Sequence, residues 1–196
     1  VYGVRPDLTT LAKIVAGGLP GAAVTGRKNI LDLLDFDVTK AADREKIAHQ
    51  GTFNANPLSA AAGVAALQVV GTTDACARAN AYGEAVRKRI NEVLEEERVP
   101  WAAYGTFSML HIFTNPEGKA LTPTRFDVRQ EPHDILTGKH HAALINKFRL
   151  AMMVNGVDFN SSPGGVVSMT HGEPELEDTA AALRKSLRML KQEGEI

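Results

Sequence analysis

At Asn56-Pro57 the sequence changes character, and this point constrains what the chain can fold into more than any other feature. Asparagine is a good N-cap because its side-chain oxygen accepts an orphan backbone amide; proline suits the first helical position because it has no amide to leave unpaired. A helix is predicted from Pro57 to about Val70. Its Ser59 through Gly63, Ala65 and Ala66 give it a small-residue surface that a neighbouring backbone can approach closely. Gly71-Thr72-Thr73 then breaks the pattern, and Asp74 is placed to cap a second helix running to about Arg98, with Val86, Ile90, Val93 and Leu94 on one face.

Before residue 56 the pattern is the opposite: short apolar stretches punctuated by glycine, as in strand-and-loop segments of an α/β domain. Leu8 to Val15 reads as a strand ending at Gly17-Gly18, Ala22 to Thr25 as a second, Arg27 to Leu34 as a helix, and residues 35 to 50 as a charged, exposed stretch. After the second helix come strands over Trp101–Tyr104 and Phe107–Phe113, then an excursion from Asn115 to Gly138 rich in proline and glycine. A helix with Leu144, Ile145, Phe148 and Met152 on one face stops at Asn155-Gly156, Val166–Met169 is a short strand, and a last helix starts near Pro174 with Leu176, Ala180, Leu183, Leu187 and Leu190 as its stripe. The chain therefore divides near residue 72, into an α/β piece short of strand partners and a following α+β unit.

At 196 residues, 44% hydrophobic and 23% charged, the chain is long and apolar enough for a sizeable core, which excludes a disordered tail. Twenty-two Lys and Arg against 23 Asp and Glu leave a net charge of -1, and this balance recommends neither nucleic acid nor an anionic membrane as partner. The one cysteine, Cys76, cannot form an internal disulfide and reads as a small buried filler, so a reducing, cytosolic location and a metal-free fold are expected. No apolar run reaches the roughly 20 residues of a membrane span. The first residues read like the middle of a domain, with an N-terminal portion expected before them.

Two clusters can carry chemistry: Asp7-Leu8-Thr9-Thr10-Leu11-Ala12-Lys13-Ile14-Val15-Ala16-Gly17-Gly18-Leu19-Pro20 and His49-Gln50-Gly51-Thr52-Phe53-Asn54-Ala55-Asn56-Pro57. Lys13 lies in an apolar segment and must either carry its ammonium to water or lose its charge through burial, which turns the amine into a nucleophile suited to an aldehyde. Local sequence alone favours the solvated reading. Gly51-Thr52, ahead of a capped helix, offers a hydroxyl and backbone amides to a phosphate, or simply makes a turn.

In this order and at this separation, the two clusters resemble the class III aminotransferases of the pyridoxal-phosphate-dependent fold type I superfamily, with wording nearest to the glutamate-1-semialdehyde 2,1-aminomutase branch. The resemblance is strong through about residue 75 and continues by layout only. It implies an α/β fold, the C-terminal part of a fold type I transferase: residues 1–72 the end of the large cofactor-binding domain and 73–196 the small α+β domain. Lys13 is implied as the residue that joins the aldehyde of pyridoxal 5′-phosphate and afterwards moves the substrate proton. Thr52 matches the position that contacts the cofactor phosphate in the neighbouring subunit's site, Gly51 permits close backbone approach there, and Gly17, Gly18 and Pro20 shape the loop behind the lysine. A homodimer with its sites at the subunit interface follows from the same likeness. So does amino-group transfer within a small amino/keto substrate, forming 5-aminolevulinate for tetrapyrrole synthesis.

The carboxylate facing the pyridine nitrogen, the phosphate cup and the stacking ring of this family lie upstream of Val1, so the 196-residue chain alone is expected to be inactive. Two rival readings stand beside the mutase: a class III amine or ω-amino-acid transaminase using an external keto acid, and a non-catalytic relative, which the presence of Lys13 opposes. The six histidines suggest no zinc site, since His140 and His141 are adjacent and His133 has no cysteine partner. Glu95-Glu96-Glu97 reads as a solvated helix end, and Met152-Met153 as core.

Overall fold

The computed structural model describes residues 3–137 and 140–196. They form two compact units, Val1–Thr73 and Asp74–Ile196.

The first unit is built on an antiparallel ribbon of β1 (Leu8–Leu11) and β2 (Ala23–Gly26), with Leu8 opposite Gly26 and Leu11 opposite Ala23. The strand expected to reach Val15 stops at Leu11. Ala12 is still extended, but Lys13 turns into the left-handed region at φ 59° and opens a single 3-10 turn, Lys13–Ala16. A strand cannot continue through that conformation. The helix expected over Arg27–Leu34 is divided into α1 (Lys28–Leu31) and a 3-10 turn, Asp32–Leu34. The charged stretch beyond holds a short helix, α2 (Phe36–Ala41), because Asp35 Oδ1 accepts the amides of Asp37 and Val38 at 2.9 and 3.1 Å. Helix α3 (Pro57–Thr72) is capped as its sequence predicts: Asn56 Oδ1 accepts from Leu58 N–H at 3.0 Å and Ser59 N–H at 3.1 Å. Among the described residues of this unit only Ala16, Thr39 and Gly63 are buried.

The second unit contains α4 (Ala75–Glu96), β3 (Ala102–Tyr104), β4 (Met109–Phe113), α5 (His133–Thr137), α6 (Ala142–Val154), β5 (Gly164–Val166) and α7 (Glu173–Gln192). The strands form an antiparallel sheet in the order β3-β4-β5. Side chains alternate across it. Ala103, Leu110 and Ile112 join one core with Val86, Ile90, Val93 and Leu94 of α4, Phe148 and Met152 of α6, and Ala180, Leu183, Leu187 and Leu190 of α7. Trp101 packs edge-on against Phe148 with ring centres 5.3 Å apart. On the alternate positions, Phe113 stacks on Phe126 and Tyr104 lies against His111, so the 114–137 excursion covers part of the other face. That excursion carries two 3-10 turns, Pro123–Arg125 and Val128–Gln130, besides α5; its expected end, Gly138, lies outside the described residues.

Several local expectations are corrected here. Cys76 is exposed, not buried, because Ala75 takes the place on the stripe that continues to Val86 and Ile90. Asp74 occupies the N-cap position of α4, yet its carboxylate accepts no capping bond. Met152 is fully buried but Met153, one residue round the helix, is 49% exposed. The last strand comes earlier than Val166–Met169, since Ser168 N–H turns to His171 Nδ1 at 3.0 Å and takes the chain out of the sheet. Among the described residues no single helix is long and apolar enough to cross a membrane.

Candidate active site

The turn that carries Lys13 lies against α3 through glycines. A Cβ on Gly17 would stand 2.5 Å from the Ala62 carbonyl oxygen, one on Gly63 2.8 Å from the Val15 carbonyl oxygen, and one on Gly21 2.6 Å from Ala16 Cβ. The close approach anticipated from the small residues of α3 is therefore made, and by the segment that bears the lysine. Gly17 N–H closes the turn on Ile14 C=O at 2.9 Å. Lys13 itself is exposed, so of the two fates open to it in the sequence it takes solvation rather than burial. Among the described residues its ammonium has neither ion-pair nor hydrogen-bond partner.

The 49–56 loop is held by Asn54. Its Nδ2 donates to His49 C=O at 3.3 Å, its backbone N–H donates to Gly51 C=O at 3.0 Å, and its Oδ1 would lie 2.8 Å from a Cβ at residue 51. A side chain at 51 would thus displace the bracing Asn54 side chain, independently of any ligand. Thr52 sits exposed at the tip of this turn. Asn54 is the residue that sequence reasoning missed; its only signal was that asparagine commonly bonds its own turn.

Both clusters border an open concavity of about 1100 Å³. Ala12, Val15, His49, Phe53, Asn56 and Ser59 are among its lining residues; among the described residues no acidic side chain lines it, and Lys13, Gly51 and Thr52 are not in the lining. The structure therefore brings the flanks of the two clusters to one depression and leaves the three expected site residues outside its wall. Taken singly, an exposed primary amine is chemically suited to an aldehyde, and an exposed hydroxyl and a backbone amide to a phosphate.

Residues 1–129 match the aminotransferase class-III family. The chain belongs to that family. A glutamate-1-semialdehyde 2,1-aminomutase from Pyrobaculum aerophilum is 32% identical over 98% of this chain and 42% of its own length. Among solved structures, one described as "Transaminase with PLP bound" superposes with a TM-score of 0.76 at 27% identity, covering 99% of this chain and 41% of that one. An omega-transaminase from Sphaerobacter thermophilus gives a TM-score of 0.72 at 29% identity, over 94% and 40%. The chain spans about two fifths of the length of the curated relatives it matches. Its fold is that of part of an α/β, fold type I transferase.

Proposed function

We propose that the intact protein is a pyridoxal-phosphate-dependent enzyme of which this chain is the C-terminal part, residues 1–72 closing the large cofactor-binding domain and 73–196 forming the small one. The observation that carries this reading is Lys13, an exposed amine without an ionic partner, held at a left-handed backbone position by a turn that glycines press onto α3. A non-glycine residue in that conformation is strained by on the order of 1 kcal/mol or more, and such strain collects at functional sites.

The cofactor, when bound, supplies an electron sink for a carbanion adjacent to nitrogen. Lys13 Nζ would hold it, and the same amine, when neutral and free, would take a proton from the substrate carbon and return it, a general base and then a general acid in one place. Thr52 Oγ1 would donate to the cofactor phosphate, next to the backbone of Gly51, in the neighbouring subunit's site of a homodimer.

For the substrate we propose glutamate-1-semialdehyde, whose amino group is shifted within one carbon skeleton to give 5-aminolevulinate in the cytosol. Curated relatives of that name, at about 30% identity across nearly the whole chain, support this. The structural likeness to transaminases favours a second reading, transfer to an external keto acid. Product formation by the full-length protein from the semialdehyde alone supports the mutase, whereas strict dependence on added keto acid supports the transaminase. Borohydride reduction of the loaded full-length protein is expected to leave the adduct on Lys13, and Lys13→Ala to abolish it. An adduct mapped to another lysine refutes the assignment.

A further inference from the structure

Gly63 is the buried residue of α3, and it is where that helix meets the lysine-bearing turn. A Cβ built there would lie 2.8 Å from the Val15 carbonyl oxygen and 3.6 Å from Ala16 Cα. Neither atom is the end of a flexible side chain. Added volume at this point must therefore move backbone, and the backbone it moves belongs to Lys13–Ala16. At Gly17, at the other end of the same turn, a built Cβ would lie 2.5 Å from the Ala62 carbonyl oxygen. Two adjacent residues of α3 thus set the height of a single short turn over the helix, and Lys13 rides on that turn.

We propose that Gly63 is a positioning residue for Lys13: by admitting the Val15 carbonyl to the helix surface, it determines where the lysine amine stands relative to the carbonyl carbon it attacks. This rests on the reading of Lys13 as the covalent anchor. Attack by an amine needs the reacting atoms aligned at roughly 3–3.5 Å, and a displacement of about 1 Å can cost about a hundredfold in rate. Helix propensity makes the opposite prediction, because alanine is the better helix former and Gly63→Ala would stabilise α3 if the residue had no other role. Gly71, in the same helix, has nothing within 4 Å of a built Cβ and serves as the control.

The test uses full-length wild type, Gly63→Ala and Gly71→Ala, each loaded with pyridoxal phosphate. Two quantities are measured: the rate of borohydride-trapped adduct at Lys13 by mass spectrometry, and the pH midpoint of the visible absorbance change. Gly71→Ala is expected to match wild type in both. Gly63→Ala, with its far-ultraviolet circular dichroism retained, is expected to trap about tenfold more slowly and to shift the midpoint by about half a unit or more. A purely structural role would alter thermal stability and leave the midpoint in place. Wild-type trapping and midpoint in folded Gly63→Ala overturn the positioning role, whereas absence of a Lys13 adduct in wild type overturns the anchor reading beneath it. Should Gly63→Ala not fold, Ala62→Gly removes the methyl that stands 3.1 Å from a Cβ built at Gly17 and so loosens packing at the other end of the turn, the carbonyl contact remaining. It is expected to shift the same midpoint, and an unshifted midpoint there overturns the proposal equally.

Discussion

At the scale of single residues, Lys13 takes the solvated state that its local sequence favoured and Thr52 shares it: both are exposed, with their functional atoms bonded to no other group among the described residues. For Thr52 this predicts a clean separation of effects. Thr52→Ala removes a hydroxyl that supports no packing, so thermal stability of the cofactor-free full-length protein should be unchanged. Cofactor affinity should fall by about 1–3 kcal/mol, the value of one hydrogen bond to a charged phosphate. Equilibrium titration measures it, and an unaltered dissociation constant removes Thr52 from the site. The chemistry proposed for these residues comes from the order of residue types around them, which resembles that of the family. Their geometry was not, since the left-handed turn at Lys13 and the Asn54 brace behind Gly51 depend on contacts with α3 and on the shape of one loop.

Elements with a strong period were read almost to the residue. Helix α3 follows from a cap, a proline and an unbroken run of small and apolar residues, and the buried stripes of α4 and α7 follow from 3.6-residue spacing. Strand ends were misplaced by up to four residues because pairing and local backbone turns, not propensity, decide where strands end. Pairing also explains Asn91, unremarkable in the sequence. Its side chain donates to Ala103 C=O at 3.0 Å and accepts from Ala103 N–H at 2.6 Å, occupying outward-facing backbone groups of edge strand β3. Asn91→Ala leaves both groups of a buried residue without this partner and should cost about 2 kcal/mol or more, read from the denaturant midpoint.

The acidic run at the end of α4 is not merely solvated. Arg188 donates to Glu97 Oε1 from Nη2 at 2.7 Å and from Nε at 3.0 Å, and Lys191 donates to the Glu97 carbonyl. The hydrogen bond from Arg188 holds the Glu97 carboxyl below its usual range; burial opposes this, and the charges of Arg188 and Lys191 reinforce it. A carboxyl lowered in the folded state stabilises fully above its unfolded value, about 4.3, and loses that contribution as pH falls through the folded value. Glu97→Gln should therefore melt lower than wild type at neutral pH, and the gap should narrow on acidification below about pH 4. Glu175 and Glu177, lowered by hydrogen bonds from Gly172 and Arg89 respectively, keep some acid sensitivity in the variant. A gap independent of pH would refute the linkage.

Across the whole molecule, the two units differ in how much they bury. Asp74–Ile196 encloses a continuous apolar core, including Ile90, Leu94, Phe148, Met152, Leu183 and Leu187, each at most 1% exposed. Val1–Thr73 leaves Ile14, Phe53, Leu58 and Val64 each more than half exposed. Conformational entropy of roughly 1–2 kcal/mol per ordered backbone residue has little burial to offset it there. Expressed separately, residues 74–196 should unfold cooperatively on heating, while residues 1–73 should show no cooperative transition; calorimetry of the two fragments decides, and a sharp transition in the shorter one contradicts the account.

From its sequence alone, this chain determined its α/β class, its family and its long helices α3, α4, α6 and α7, and it offered an amine and a hydroxyl as candidates, because those depend on residue type and spacing along one strand of polymer. Tertiary structure alone decided that Lys13 leaves the β-strand for a strained turn, that Gly63 and Gly17 bring that turn within backbone contact of α3, and that Cys76 faces water. Each of these is settled by which atoms compete for the same space once distant segments pack together, and that competition is not written at any single position.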